Sequence, residues 1–287
     1  MPHKSATEKE SSAHTAHSEL SGEINATTFR RYSTLLAIKL LKRFGKRTGT
    51  VLHLSKKICV KYGEIVTLND AASMQFVAKH TSVPVPRVYC AFEHAGRRYI
   101  VMERLKGKNI ASGWYLRSEE SRNKILSQLK DMVGEIRRIP PPPGTGVAHA
   151  NGGPLSDPRL PSVNSDYFGP FRTFQDFHKY LRRGMEVPPK DMPEVGEFIA
   201  QQDSIQPPPV FTHGDLSSLN VIASGDKIIG IIDWETAGWY PAYWEYTNAW
   251  NANPQNAFWQ DEVDKFLQPM PKELEMEKLR LKWFGDY

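Results

Sequence analysis

Asp215, Asn220 and Asp233 are oxygen-bearing side chains placed close together in the chain. They lie in Phe211-Thr-His-Gly-Asp-Leu-Ser-Ser-Leu-Asn-Val-Ile222 and Ile229-Gly-Ile-Ile-Asp-Trp-Glu235. Asp215 and Asn220 bracket a short loop between apolar runs, and Asp233 ends a β-like run. Gly225-Asp226 between those runs is a hairpin-type turn, which sets the Asn220 end beside the Asp233 end. Oxygen donors suit Mg²⁺, which takes one or two protein carboxylates and shares phosphate oxygens. Phosphoryl transfer needs such a metal, plus one carboxylate that orients and deprotonates an attacking hydroxyl. Asp215 is the candidate base, and Asn220 with Asp233 are the candidate metal ligands. His213, flanked by Gly214 just before the loop, reads as a brace for the backbone rather than a base.

The elements that must hold these residues follow from pattern. Thr50–Leu54 and Lys57–Tyr62 form an antiparallel pair across a polar turn. Leu68–His80 is helical, Pro84 and Pro86 open an extended stretch over Arg87–Glu93, and Gly96 turns it into a second strand at Arg98–Glu103. Beyond Gly107 the chain is mainly helical. Ile125, Leu129, Met132, Ile136 and Ile139 recur at helical spacing until the Pro140–Pro143 run. A loop rich in Gly, Pro, Ser and Asn covers 144–168, either a substrate loop or a surface excursion. Helices are expected over 171–183, 191–202, 242–252, 259–267 and 271–284, with a β-rich segment over 210–233. Residues 1–25 hold almost no large apolar side chains and read as a disordered tail. The division is then 1–25 tail, 26–106 β-rich unit, 107–287 mainly helical unit.

Composition sets outer limits. The chain has 287 residues, 40% hydrophobic and 24% charged, with a net charge of +5. Apolar runs fall short of the roughly 20 residues of a bilayer span, so no membrane contact is expected. Two cysteines in such a length argue against a disulfide framework and for a reducing, cytoplasmic setting. The lysines and arginines between Lys42 and Lys61 read as a solvated surface, and no aromatic-basic pattern for nucleic acid is present. The oligomeric state is left open.

His213-Gly-Asp215-Leu-Ser-Ser-Leu-Asn220 resembles the kinase pattern H-R-D-L-x-x-x-N with glycine in place of arginine. With Ile-Ile-Asp233-Trp-Glu235 for D-F-G, the chain is similar to the aminoglycoside phosphotransferase and choline-kinase-like superfamily, and to its fungal branch. The resemblance runs from about Val51 to Tyr287. It implies an α+β, bilobal protein-kinase-like fold with a small antiparallel β-sheet N-lobe and a larger, mainly helical C-lobe. It also implies a nucleotide, ATP, and Mg²⁺ as cofactors. Ile58-Cys-Val-Lys61 then matches the V-A-I-K strand, so Lys61 would face the nucleotide phosphates and Cys59 the adenine. Asp70 takes the place of the family's glutamate partner for that lysine, one methylene shorter; capping the helix is an equal reading. Tyr99–Leu105 resembles the strand entering the hinge, with Met102 behind the adenine and the main chain of Glu103 and Leu105 reading it. Phe44–Thr50 departs from the glycine-rich loop, which leaves Ser55 and Lys56 in the strand turn as phosphate contacts.

Glu235, Trp239, Tyr240, Tyr243, Trp244, Glu245, Trp250 and Trp259 form an aromatic and acidic set that would suit a cationic acceptor. Packing at helical spacing is the competing reading of the same residues. Glu235 and Trp239 are the acceptor candidates nearest Asp233. The function that follows is a small-molecule kinase acting on an amino alcohol, an aminoglycoside-like compound or a metabolite alcohol. A pseudokinase or binding module, and a non-phosphoryl acid–base enzyme, are the alternatives.

Overall fold

A computed structural model describes residues 22–160, 167–188, 190–251 and 257–285. The chain divides into two compact units. The first ends at Ala72 and resumes over Pro86–Arg104; the second takes Ser73–Val85 and everything from Leu105. The division thus lies at 104/105, two residues before the 106/107 read from the sequence, and the last eight residues of a helix change unit.

The first unit opens with helix α1, Thr28–Leu41, whose N-cap Thr27 accepts a hydrogen bond from the Arg30 N–H at 3.3 Å. Then come β1 (Arg47–Thr48), β2 (Val51–His53), β3 (Ile58–Gly63), β4 (Val88–His94) and β5 (Arg97–Glu103), in the order β1-β2-β3-β5-β4. Every pair is antiparallel. Ile38 of α1 packs with Leu52, Val60, Cys90, Phe92, Tyr99 and Val101 to form its core. Helix α1 lies where no element was expected. Residues 1–21 of the expected tail lie outside the described residues. At 22–25 that expectation fails: Ile24 exchanges backbone hydrogen bonds with Ala91 at 2.9 and 2.8 Å, and Glu23 pairs with Arg31.

Helix α2, Asn69–His80, begins in the first unit and ends in the second. The second unit continues with β6 (Lys108–Asn109), α3 (Glu119–Arg137), α4 (Phe174–Leu181) and α5 (Pro193–Ser204). Strands β7 (Val210–Thr212), β8 (Val221–Ser224), β9 (Lys227–Ile231) and β10 (Gly238–Tyr240) precede α6 (Trp244–Asn251), α7 (Ala257–Phe266) and α8 (Pro271–Phe284). Ser118 and Thr173 cap α3 and α4 through their hydroxyls. Strands β8 and β9 make the expected hairpin, with Gly225 at φ +60° in its turn. Strand β10 pairs with β7 and was not foreseen. The 144–168 loop is tied down by bridges from Val147 to Phe171, Ala148 to Trp239 and Leu155 to Phe168. Its residues 161–166 lie outside the described set.

Gly238 lies at one of these close approaches. A Cβ there would lie 2.5 Å from Leu155 Cδ2 and 2.6 Å from the Ala148 carbonyl oxygen. Gly238→Ala should therefore cost about 2 kcal/mol in urea unfolding, and adding Leu155→Ala should recover only part, because the carbonyl clash persists.

Candidate active site

Strand β7 delivers the chain into His213 and Gly214, where a buried carboxylate takes hold of it. Glu245, in the first turn of α6, accepts the His213 N–H at 2.6 Å on Oε2 and the Gly214 N–H at 3.1 Å on Oε1. Only 2% of Glu245 is exposed. Burial pushes its pKa up, while both backbone donors and the Arg137 charge pull it down. Gly214 adopts φ +81°, and a Cβ would approach the Thr236 carbonyl oxygen to 2.9 Å, so glycine is required here on two counts. Thr236 in turn donates its hydroxyl to the His213 carbonyl at 2.9 Å.

The His213 ring is a fixed spacer. Its Nδ1 accepts the Asp215 N–H at 3.1 Å, so Nε2 carries the proton and donates to the Ile232 carbonyl at 3.0 Å. Its ring lies 4.5 Å from that of Trp234, and burial lowers its pKa to about 4. A neutral imidazole with both nitrogens engaged braces the loop, in keeping with the sequence reading.

Asp215 heads a tight turn, with the Ser217 N–H donating to its carbonyl at 2.8 Å and the Asn220 N–H to Ser217 at 3.0 Å. The Asn220 amide folds back on the same residue. Its Nδ2 donates to the Asp215 carbonyl at 2.8 Å and to Oδ2 at 2.9 Å. With Nδ2 so used, the amide oxygen is the atom left for a metal. The Asn220 carbonyl accepts the Ile232 N–H at 2.9 Å, which fixes Asp233 immediately beyond it at φ +67°. Aspartate tolerates this left-handed conformation better than most residues. The hairpin thus brings Asp215, Asn220 and Asp233 to one edge, as their order predicts. Among the described residues no three His, Cys, Asp or Glu side chains gather as a metal cage. One carboxylate and one amide oxygen, completed by phosphate oxygens, is a donor set that fits Mg²⁺.

Arg159, missed in the sequence, joins this group from the loop. Its guanidinium is gripped by Asp157, Nε to Oδ1 at 2.8 Å and NH2 to Oδ2 at 2.7 Å. NH1 reaches Asp215 Oδ1 at 3.2 Å, and NH2 reaches the Gly214 carbonyl at 2.6 Å. Each carboxylate oxygen of Asp215 therefore has a designated donor. Burial raises the Asp215 pKa to about 6, with Arg159 opposing and the Asp233 charge adding. Asp157-Pro-Arg159 was readable as a local acid–base pair; its reach to Asp215 had no sequence signal.

In the first unit, Lys61 Nζ lies 2.8 Å from Asp70 Oδ2, with side chains 11% and 2% exposed. The shorter acid therefore makes the pair, and Asp70 is not limited to capping. Cys59 faces Met102 across β3 and β5 and points its Sγ at the Met102 and Glu103 carbonyls, at 3.8 and 3.6 Å. Burial raises its thiol pKa to about 11, so it stays protonated. The Glu103 N–H donates to the Arg87 carbonyl at 2.9 Å, while its own carbonyl faces the Cys59 thiol. Ser55 closes the β2–β3 turn, accepting the Lys57 and Ile58 N–H groups at 3.1 Å each, so its hydroxyl is already engaged. Leu105 belongs to the second unit and packs on Gly230, where a Cβ would meet its Cδ1 at 2.3 Å.

The acceptor set largely dissolves into core. Trp239 is 1% exposed, wedged edge-on against Phe211 and Phe76 at 5.2 and 6.0 Å, so its ring presents no face to a ligand. Tyr240, Tyr243, Trp244 and Trp259 are equally buried, and Glu245 is the loop's anchor. Glu235 is half-buried and keeps its place two residues past Asp233.

Comparison with known proteins adds an independent line. A model of the phosphotransferase enzyme family (APH) matches residues 67–276. No curated protein matches the chain. Aminoglycoside phosphotransferase APH(4)-Ia is similar in structure, with TM-score 0.62 at 15% identity over 88% of this chain and 89% of that one. A thermostable mutant of the same enzyme, in ternary complex with ADP and hygromycin B, gives 0.61 at 14% over 86% and 88%. The gentamicin complex of APH(2")-IIa gives 0.52 at 15% over 90% and 87%. At such identities the likeness is one of fold, the protein-kinase-like α+β fold that the motifs implied.

Glu245→Gln leaves one amide N–H group facing a backbone N–H, and should cost about 3 kcal/mol in chemical denaturation. In the metal-free protein, Asp215 should titrate near pH 6 by carboxyl NMR. Arg159→Gln should move that midpoint upward; an unchanged midpoint would place the guanidinium elsewhere in solution. With its folded pKa raised, ionised Asp215 opposes folding above about pH 6, and the penalty is relieved as pH falls through that value.

Proposed function

The chain belongs to the phosphotransferase enzyme family, and from that premise we propose that it moves the γ-phosphoryl group of ATP to the hydroxyl of a small molecule. The observation that carries the reading is the Asp215 carboxylate, held at one oxygen by the Asn220 amide and at the other by Arg159, beside Asp233.

In this scheme Asp215 accepts the proton of the acceptor hydroxyl as its oxygen bonds to the γ-phosphorus. The bond from that phosphorus to the β-bridging oxygen breaks, and ADP leaves with the electron pair. The Asn220 amide oxygen and the Asp233 carboxylate would hold Mg²⁺, which would supply charge neutralisation on the phosphates. Arg159 and Asn220 fix the carboxylate plane, so that the base needs no reorientation when the hydroxyl arrives. A base with its pKa near 6 is ionised at neutral pH yet basic enough to share a proton in the transition state.

Lys61 is assigned to the nucleotide phosphates, oriented by Asp70. Cys59, Met102 and the carbonyl of Glu103 are assigned to the nucleobase, with Leu105 contributing main chain. The Lys61–Asp70 contact removes one motive for reading the chain as a pseudokinase, since the shorter acid still reaches the lysine. For the acceptor, the burial of Trp239 and Glu245 leaves Glu235 as the acidic candidate for a cationic group. An amino alcohol or an aminoglycoside-like compound would present such a cation beside its hydroxyl, whereas a neutral metabolite alcohol would not use it.

Purified protein with ATP and Mg²⁺ should phosphorylate at least one member of a panel of amino alcohols, aminoglycosides and neutral alcohols. Asp215→Ala should lower turnover by about a hundredfold or more while the ATP-induced thermal shift persists. Asp233→Ala should remove turnover and weaken that shift. Wild-type turnover in Asp215→Ala would sink the assignment of the base.

A further inference from the structure

Helix α1 is apolar on two sides. Ile38, Leu35 and Leu41 pack into the core of the first unit. Away from that core, Phe29 is 80% exposed, Tyr32 65%, Leu36 57% and Leu40 63%, and Phe44 just beyond the helix is 88% exposed. At 3.6 residues per turn, the first four fall within an arc of about 80°. Arg30 and Lys39 flank the arc, Lys42, Arg43 and Lys46 follow it, and all five are exposed. Between Ala26 and Gly63 the chain holds ten lysines and arginines and no aspartate or glutamate.

Scattered apolar residues on a surface need no explanation, but an aligned strip on a single helix does. Three occupants are conceivable, and charge separates them. A second copy of the chain would set the same excess of cations against itself. Residues 1–21 offer only Met1 and Leu20 as large apolar side chains, too few to match the strip. An anionic lipid surface supplies both missing partners, acyl chains for the strip and negative headgroups for the flanking cations. We propose that α1 docks in the plane of an anionic membrane interface, with Phe29, Tyr32, Leu36 and Leu40 inserted and the basic residues among the headgroups. The attachment is peripheral, since no helix among the described residues is long and apolar enough to cross a bilayer. Sequence alone pointed away from membranes, because it could not show that this strip faces outward.

The test is flotation of the full chain with vesicles of phosphatidylcholine, alone or with about 30% phosphatidylserine, at salt from about 0.1 to 0.5 M. Binding is expected on the anionic vesicles and should weaken with salt. Leu36→Glu with Leu40→Glu should abolish it. Lys39→Glu with Lys42→Glu should reduce it by at least tenfold, at roughly fivefold per cation. These side chains are exposed, so each variant should keep the wild-type thermal midpoint, which checks that it is folded. The proposal is overturned by absence of binding, by equal binding to the neutral vesicles, or by a concentration-dependent dimer that Leu36→Glu with Leu40→Glu dissociates.

Discussion

Glu245 takes two successive backbone N–H groups, those of His213 and Gly214, and the rest of the active loop depends on that grip. A carboxylate buried to 2% exposure is costly unless its oxygens are satisfied by good donors. Here the two donors sit at consecutive positions because Gly214 turns the chain left-handed. The anchoring charge therefore also fixes the direction in which Asp215 leaves the turn. His213 and Thr236 extend the same restraint to the hairpin side through Ile232 and the His213 carbonyl.

Around this frame the charges are graded from inside to edge. Glu245 is sealed in the core, Asp157 is nearly so, and Asp215 and Asp233 stand at the accessible rim. Four acids in one neighbourhood would repel one another, and Arg159 answers for two of them at once. Its fork is held by Asp157, so little side-chain freedom remains to be lost when it meets Asp215. The result is a rim carboxylate whose plane is set by neighbours on both sides.

How much of this was legible differs from element to element. The 213–220 loop and the hairpin after it were readable because order, spacing and turn chemistry all lie within some twenty consecutive residues. Helix α2 and the helices after Glu119 announced themselves by a single apolar face and by prolines at their ends. Helix α1 stayed hidden for the opposite reason: apolar residues on both of its sides cancel the one-sided period that marks a helix. For Glu245 and Trp239 packing and acceptor contact both stayed open, because sequence shows that an acid lies among aromatics but not which way each one points. Trp244 and Tyr246, both large, flanking Glu245 inside a helix were the available hint of burial. Arg159 was out of reach altogether, since only the folded loop brings it to a residue 56 positions away.

The second unit borrows Ser73–Val85 from within the sequence of the first. That borrowed stretch is woven in by Phe76 against Phe211, by Ser73 on His149 at 2.9 Å, and by the Ile231 N–H on the Pro84 carbonyl at 2.9 Å. A fragment beginning at Leu105 would lack all three partners. The boundary is thus one of compactness and not of covalent order. Excising either half intact would need three cuts and the rejoining of its two segments, because no single scission separates them.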